Sequence, residues 1–285
     1  MIELSAGDLR AVVVPEIGAG LARFDWRGVP LMRPWDGKAA DPTTLACCLL
    51  IPWSNRISGG GIEIDGRLHP LPANLPGEPC PIHGDAWQRS WEVLHADRGV
   101  VRLGLDGGVG PFRYSAEVAW RLTDTALEMG ISVSHTGEER APYGVGLHPW
   151  FPRTPGTTLR APARAVWLED ERHLPTMCEP LAERPGWDFG SARVLPASWI
   201  NNAFTGWDGK ARIVWPECAV ALDIEADPGL DSYILYGPSA DADFFCFEPV
   251  SHPVDAHHLP GLPGLVTLAR GESLRTWCRF RPVVA

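Results

Sequence analysis

The feature that most constrains the fold is a hydrophobic period of two. In "YSAEVAWRL", Tyr114, Ala116, Val118, Trp120 and Leu122 fall on one side of an extended chain, with Ser115, Glu117 and Arg121 on the other. After the polar "TDTA" the alternation resumes, with Leu127, Met129, Ile131 and Val133 set against Glu128, Ser132 and Ser134. Two such runs joined by a short polar loop predict a β-hairpin. Similar runs recur along the chain: "RAVVV", "WEVLHA", "VVRLGL", "ARIVW", "VALDI", "SYILYG", "FFCFEP" and "TWCRFRP". No stretch repeats apolar residues at helical spacing between good caps, and 28 prolines and 30 glycines disfavour long helices. The expected fold is all-β: one large antiparallel β-sandwich, a single domain over residues 1–285. The Pro-rich stretches 70–81 and 149–162 are expected as long loops over one end, and loops of that length usually serve a site.

Composition narrows the function. A formal net charge of −10 implies no basic face, which argues against nucleic acid or a membrane surface as partner. No apolar run approaches the roughly 20 residues that span a bilayer. The N-terminal "MIELSAGDLRAVVVPEIG" lacks the apolar core of a signal peptide, so a cytoplasmic location is expected. Seven cysteines, an odd number with no Cys-x-x-Cys pair and several in strand-like apolar runs, read as buried reduced thiols. Most of the 13 tryptophans are expected in the core, and a minority near polar loops as platforms for sugar rings.

Four segments combine chemically useful side chains with Gly or Pro turns: "IPWSNRISGG" (Asn55, Arg56), "PCPIHGDAW" (His83), "YGVGLHPWF" (His148) and "FFCFEPVSH" (Glu248). Each has a structural explanation too. A lone histidine is often a hydrogen-bonded core residue, and an Asn-Arg pair can simply close a turn. Glu248 is the most suggestive, because it ends an apolar run whose burial would raise its pKa and make it a usable general base. His148, between Leu147 and Pro149-Trp150-Phe151, is similarly placed to be a partly buried general acid. The segment "FEPVSHPVDAHH" also raises a metal site. However, His257 and His258 are adjacent, Pro249 and Pro253 stiffen the chain, and no ligand spacing is clean. Metal: none is the reading, with His252 the first of the three histidines to examine for a supporting contact.

In this order the segments resemble the aldose 1-epimerase (galactose mutarotase) family. "PWSNRISGGGIEIDGRLHPL" resembles its Asn-Arg motif, "PIHGDAWQRSWEV" its His-Gly motif, "GVGLHPWFP" its His-Pro-aromatic motif and "FCFEPVSHPVDA" its Glu-Pro motif. "VVVPEIGAGLARF" matches its first hairpin, so the resemblance covers nearly the whole chain. It implies a β-supersandwich with a sugar site in a cleft on one sheet, and an isomerase that interconverts the α and β anomers of a free hexose. Glu248 then matches the base that removes the anomeric proton, and His148 the acid that protonates the ring oxygen. His83, Asn55 and Arg56 match substrate-binding positions. The chemistry needs one proton taken and one given, without metal or organic cofactor. A small-molecule sugar is the expected partner, and a monomer or homodimer the expected state.

One position departs from the pattern. In "WINNAFTGWDG", Asn201 stands where the family usually has a sugar-binding aspartate. An amide still donates and accepts, but the lost charge makes an anionic hexose, carrying sulfonate, carboxylate or 6-phosphate, an alternative substrate. Arg56, Arg89 and Arg153 are the sequence's candidates to bind such a charge. A non-catalytic sugar-binding protein on the same fold is the further alternative, and the pair His148 and Glu248 speaks against it.

Overall fold

A computed structural model describes residues 1–38 and 41–285. The described residues form β-strands and 3₁₀ turns. Two large antiparallel sheets of 11 and 9 strands dominate, with two small two-stranded ribbons, Gly61–Ile64 with Arg67–Pro70 and Ala141–Tyr143 with Val266–Leu268. The chain has the all-β, antiparallel sandwich architecture that the alternation predicts.

The hairpin read from "YSAEVAWRL" is present. Strands Phe112–Leu122 and Leu127–His135 pair with Trp120 opposite Met129 and Val118 opposite Ile131, and the apolar set of each strand is buried. They belong to the nine-stranded sheet.

The middle of the eleven-stranded sheet carries the function-bearing residues. Cys47–Leu50, Gly146–Pro152, Phe244–Val250, Ser232–Gly237 and Ile200–Thr205 lie side by side in that order. Their alternation separates two faces. Leu49, Leu147, Phe245, Phe247, Leu235 and Phe204 belong to the main core cluster, together with Trp120, Met129 and Phe280 of the nine-stranded sheet. Cys48, Trp150, Cys246, Ile234 and Ala203 belong to a separate cluster on the other face. Because both faces are covered here, these strands read as near-continuous apolar runs.

Two expectations need correction. The stretch 149–162 is half strand: Gly146–Pro152 lies inside the large sheet and Thr158–Arg160 inside the nine-stranded one, with a turn between. Pro149 lacks a donor, but its neighbour Trp150 still donates to Ala46 O at 2.9 Å, so the ladder survives one missing bond. The thiols are all free, but only Cys47, Cys48, Cys246 and Cys278 are buried; Cys80 is half-buried and Cys178 and Cys218 are exposed. The stretch after Pro70, by contrast, is an irregular loop pinned by Asn74, which donates to Ile82 O and Gly84 O.

Candidate active site

Register brings Glu248 and His148 together. Gly146 pairs with Val250 and Trp150 with Cys246, which sets His148 opposite Glu248 on adjacent strands. His148 Nε2 lies 3.4 Å from Glu248 Oε1, and both side chains are largely out of solvent. Glu248 Oε2 and His148 Nδ1 are buried without a partner, the kind of unsatisfied group that marks a reaction centre. Burial raises the Glu248 carboxyl well above its ordinary value, with Arg56 opposing, and lowers His148 to about 3. The indole of Trp150 stacks on the His148 ring at 4.0 Å and fixes its plane.

The two loops after the strands lock each other. His83 N donates to Asn55 O at 3.1 Å, and Asn55 N donates to His83 Nδ1 at 3.0 Å. His83 Nδ1 is therefore an acceptor, so its proton sits on Nε2, and burial holds the ring neutral by lowering its pKa well below the usual range. Asn55 and His83 both adopt left-handed backbone, with φ of 58° and 62°. Such conformations at non-glycine residues persist only where surroundings over-determine them, and they cluster at functional sites. Gly84 is required: at φ +69° a Cβ would sit 2.0 Å from Ile51 O. That close approach is the physical content of the His-Gly pair.

His252, His257 and His258 act as braces. His252 Nε2 accepts from Ser54 N at 3.0 Å, next to Asn55, which is the supporting contact expected of it. His257 Nε2 meets Pro142 O, and His258 bonds Asp255, whose carboxylate also accepts from Ser58 N. Among the described residues, the donor cluster compact enough for a metal is instead His148, Cys246 and Glu248, within 4.8 Å of one another.

The sequence candidates converge. Asn55, Arg56, His83, His148, Asn201 and Glu248 line one cavity of about 190 Å³, with Ile82, His173, Trp199 and Tyr236. Arg56 does not face it as a free cation, since its Nη2 and Nε both reach Glu78 Oε2, at 2.6 and 2.8 Å. Arg89 pairs with Asp85 and Arg153 donates to Pro196 O, and neither lines the cavity.

Asn201 corrects the charge argument. Its Nδ2 donates to Glu169 Oε2 at 3.0 Å, so its Oδ1 is left as the acceptor. The same carboxylate accepts from Trp199 Nε1 at 3.0 Å and meets His173 Nδ1 at 3.1 Å. A negative charge absent from position 201 is thus present one side chain behind it. Glu169, Trp199, His173 and Tyr236 belong to no motif. Trp199, 44% exposed, is a usable ring platform, and its place in "WINNAF" beside Asn201 was the one available signal.

A second cavity of about 390 Å³ adjoins the first, sharing His83, His148 and Tyr236, and adds Arg33, Thr43, Cys48, Leu75, Trp87, Trp150 and Phe244. Leu75 brings the loop after Pro70 to this wall.

Comparison with known proteins agrees with the geometry. The family profile described as aldose 1-epimerase matches residues 1–281. The uncharacterised Escherichia coli K12 protein YphB is 37% identical over 280 residues, covering 95% of this chain and 94% of its own. A crystal structure of an Escherichia coli K12 protein provisionally assigned as an aldose 1-epimerase superposes with TM-score 0.94 at 33% identity, covering 100% and 99% of the two chains. A galactose mutarotase-like protein of Clostridium acetobutylicum, 20% identical with TM-score 0.87 over 99% and 95%, shares the fold. No helix among the described residues is long and apolar enough to cross a membrane. The chain belongs to the aldose 1-epimerase family.

Proposed function

We propose that the protein is a mutarotase that interconverts the α and β anomers of a free hexose, with Glu248 and His148 as its acid/base pair. The observation that carries this reading is the buried carboxyl and imidazole 3.4 Å apart, each with an unpartnered polar atom, at the wall of a sugar-sized cavity.

Proton accounting fits. Burial drives both groups toward their neutral forms, so the unliganded pair holds its one transferable proton on Glu248. Passing it across the gap to His148 leaves a carboxylate facing O1 and an imidazolium facing O5, with no change in net charge. A hydrogen bond from the O1 hydroxyl favours the carboxylate. Glu248 then takes the O1 proton, the C1–O1 double bond forms as C1–O5 breaks, and O5 takes the proton from His148. Rotation about C1–C2 and reversal of these steps yields either anomer. His83, with its proton on Nε2, donates to a sugar oxygen. Asn201 Oδ1 accepts from a hydroxyl, Asn55 and Arg56 shape the adjoining wall, and Trp199 packs on the ring's C–H face.

The test is to dissolve pure α-anomers of several free aldoses with the protein and follow optical rotation, alongside the corresponding methyl glycosides. Accelerated relaxation of the free sugars with untouched glycosides is expected. Cleavage of a glycoside, or no acceleration for any aldose, neutral or anionic, would refute the reading.

A further inference from the structure

The two cavities meet at His148 and His83 but differ in charge. The smaller holds Glu248 and Asn201, with the Glu169 carboxylate directly behind Asn201 and its lining cation, Arg56, already paired with Glu78. The larger lacks Glu248 and holds Arg33.

Arg33 is built into place. Its backbone N–H donates to Trp150 O at 2.8 Å, and its guanidinium carbon lies 5.2 Å from the Trp150 ring centroid and 4.9 Å from that of Phe244. Nη2 donates to Thr43 O at 2.9 Å. Among the described residues no carboxylate closes an ion pair with it; Asp243, beside Phe244, attracts it from further away. Nε and Nη1 are not among the buried unpartnered atoms, so they remain open to solvent or ligand. A stacked, half-buried guanidinium with donors to spare is a ready partner for an anionic oxygen group.

Sugar connectivity decides which atoms reach it. This step rests on the mutarotase reading, in which O1 faces Glu248 and the ring oxygen faces His148. C1 then leads through C2 and C3 into the smaller cavity. The ring oxygen leads to C5, and C5 carries C6 past His148 into the larger one. We infer that Arg33 is an anion subsite for the C6 end of the sugar, and that the preferred substrate is a hexose bearing a negatively charged oxygen group on or at C6. The Glu169 carboxylate behind the opposite cavity disfavours the reversed pose.

The test compares kcat/KM for anomerisation of D-glucose 6-phosphate, D-glucuronate, D-glucose and D-galactose by the wild type, Arg33→Gln and Arg33→Lys, with direct titration of D-glucose 6-phosphate by calorimetry. A wild-type preference of at least about tenfold for an anionic sugar is expected. The anionic-to-neutral ratio should fall about 10- to 100-fold in Arg33→Gln and less in Arg33→Lys. A purely structural role for Arg33 would lower all rates together and leave the ratio fixed, which would overturn the subsite, as would a wild-type ratio near one. The phosphate and carboxylate arms show which anion the site takes. If no sugar is anomerised but Arg33-dependent binding of the 6-phosphate is measured, the subsite stands and the mutarotase reading falls.

Discussion

Burial acts on Glu248 and His148 in opposite senses, raising one pKa and lowering the other, and so keeps an acid and a base side by side without a lasting ion pair. The run "FFCF" made the burial of Glu248 readable, because four apolar residues before a carboxylate leave little room for water. Arg33 is not readable, since a lone arginine in "LMRPW" carries no periodic or motif signal and its aromatic neighbours come from strands more than 100 residues away in sequence. Gly84 gives a direct test at this scale. Replacing it with Ala sets a Cβ 2.0 Å from Ile51 O at a positive φ. Gly84→Ala is expected to lose at least about 1–3 kcal/mol of stability and to raise KM by shifting His83. Urea unfolding and steady-state kinetics would check it, and a variant of unchanged midpoint and KM would contradict the role given to this glycine.

Strand pairing explains why candidates far apart in sequence share one cavity. Ala165 pairs with Thr205 and Val166 with Phe204 on adjacent strands, and beyond that paired stretch, past an irregularity at Leu168/Glu169, the Asn201 amide still reaches Glu169. The amide–carboxylate bond is thus a cross-strand contact, and it explains the amide. An aspartate at 201 would face Glu169 with two carboxylate oxygens about where one N–H···O bond of 3.0 Å now stands, and like charges at that separation do not both ionise. Asn201→Asp is therefore expected to raise KM and lower the melting temperature at neutral pH. Adding Glu169→Gln should recover most of the loss, because donor and acceptor simply exchange places. A double-mutant cycle in KM and melting temperature reads the coupling; additive losses would contradict the pairing. Period-two alternation exposed the strands to sequence reading, but not their order across the sheet. Asn201 is legible only through the family pattern at "WINNAFTGWDG", Glu169 carries no such signal, and the prolines of 149–162 disguise two strands.

Across the whole molecule, buried histidines couple fold to pH. His83 is held well below its ordinary pKa, His252 at about 4, and His148 and His257 at about 3, all chiefly by burial. In the unfolded chain they titrate near 6.5. Their contribution is complete above that value and is lost as pH falls toward the folded values. Glu248, raised by burial, and His258, raised by Asp255, act in the opposite sense. Four groups outweigh two, and each contributes a slope of at most about 1.4 kcal/mol per pH unit. Stability measured by urea titration is expected to fall from pH 6.5 to 4.5, and a flat or rising profile would contradict the neutral, buried state of these rings. The sandwich itself was legible because alternation fixes which side chains meet the core. The cavity was legible only where motif residues define it, since its remaining walls arise from long-range packing.

The most direct test of the chemistry is the exchange rate between α and β anomers at equilibrium, read by magnetisation-transfer NMR for wild type, Glu248→Gln and His148→Asn at saturating sugar. Each variant is expected to lose about 10²–10⁴-fold in kcat while still binding the sugar. A Glu248→Gln protein that exchanges anomers at the wild-type rate would contradict the assignment of the acid/base pair.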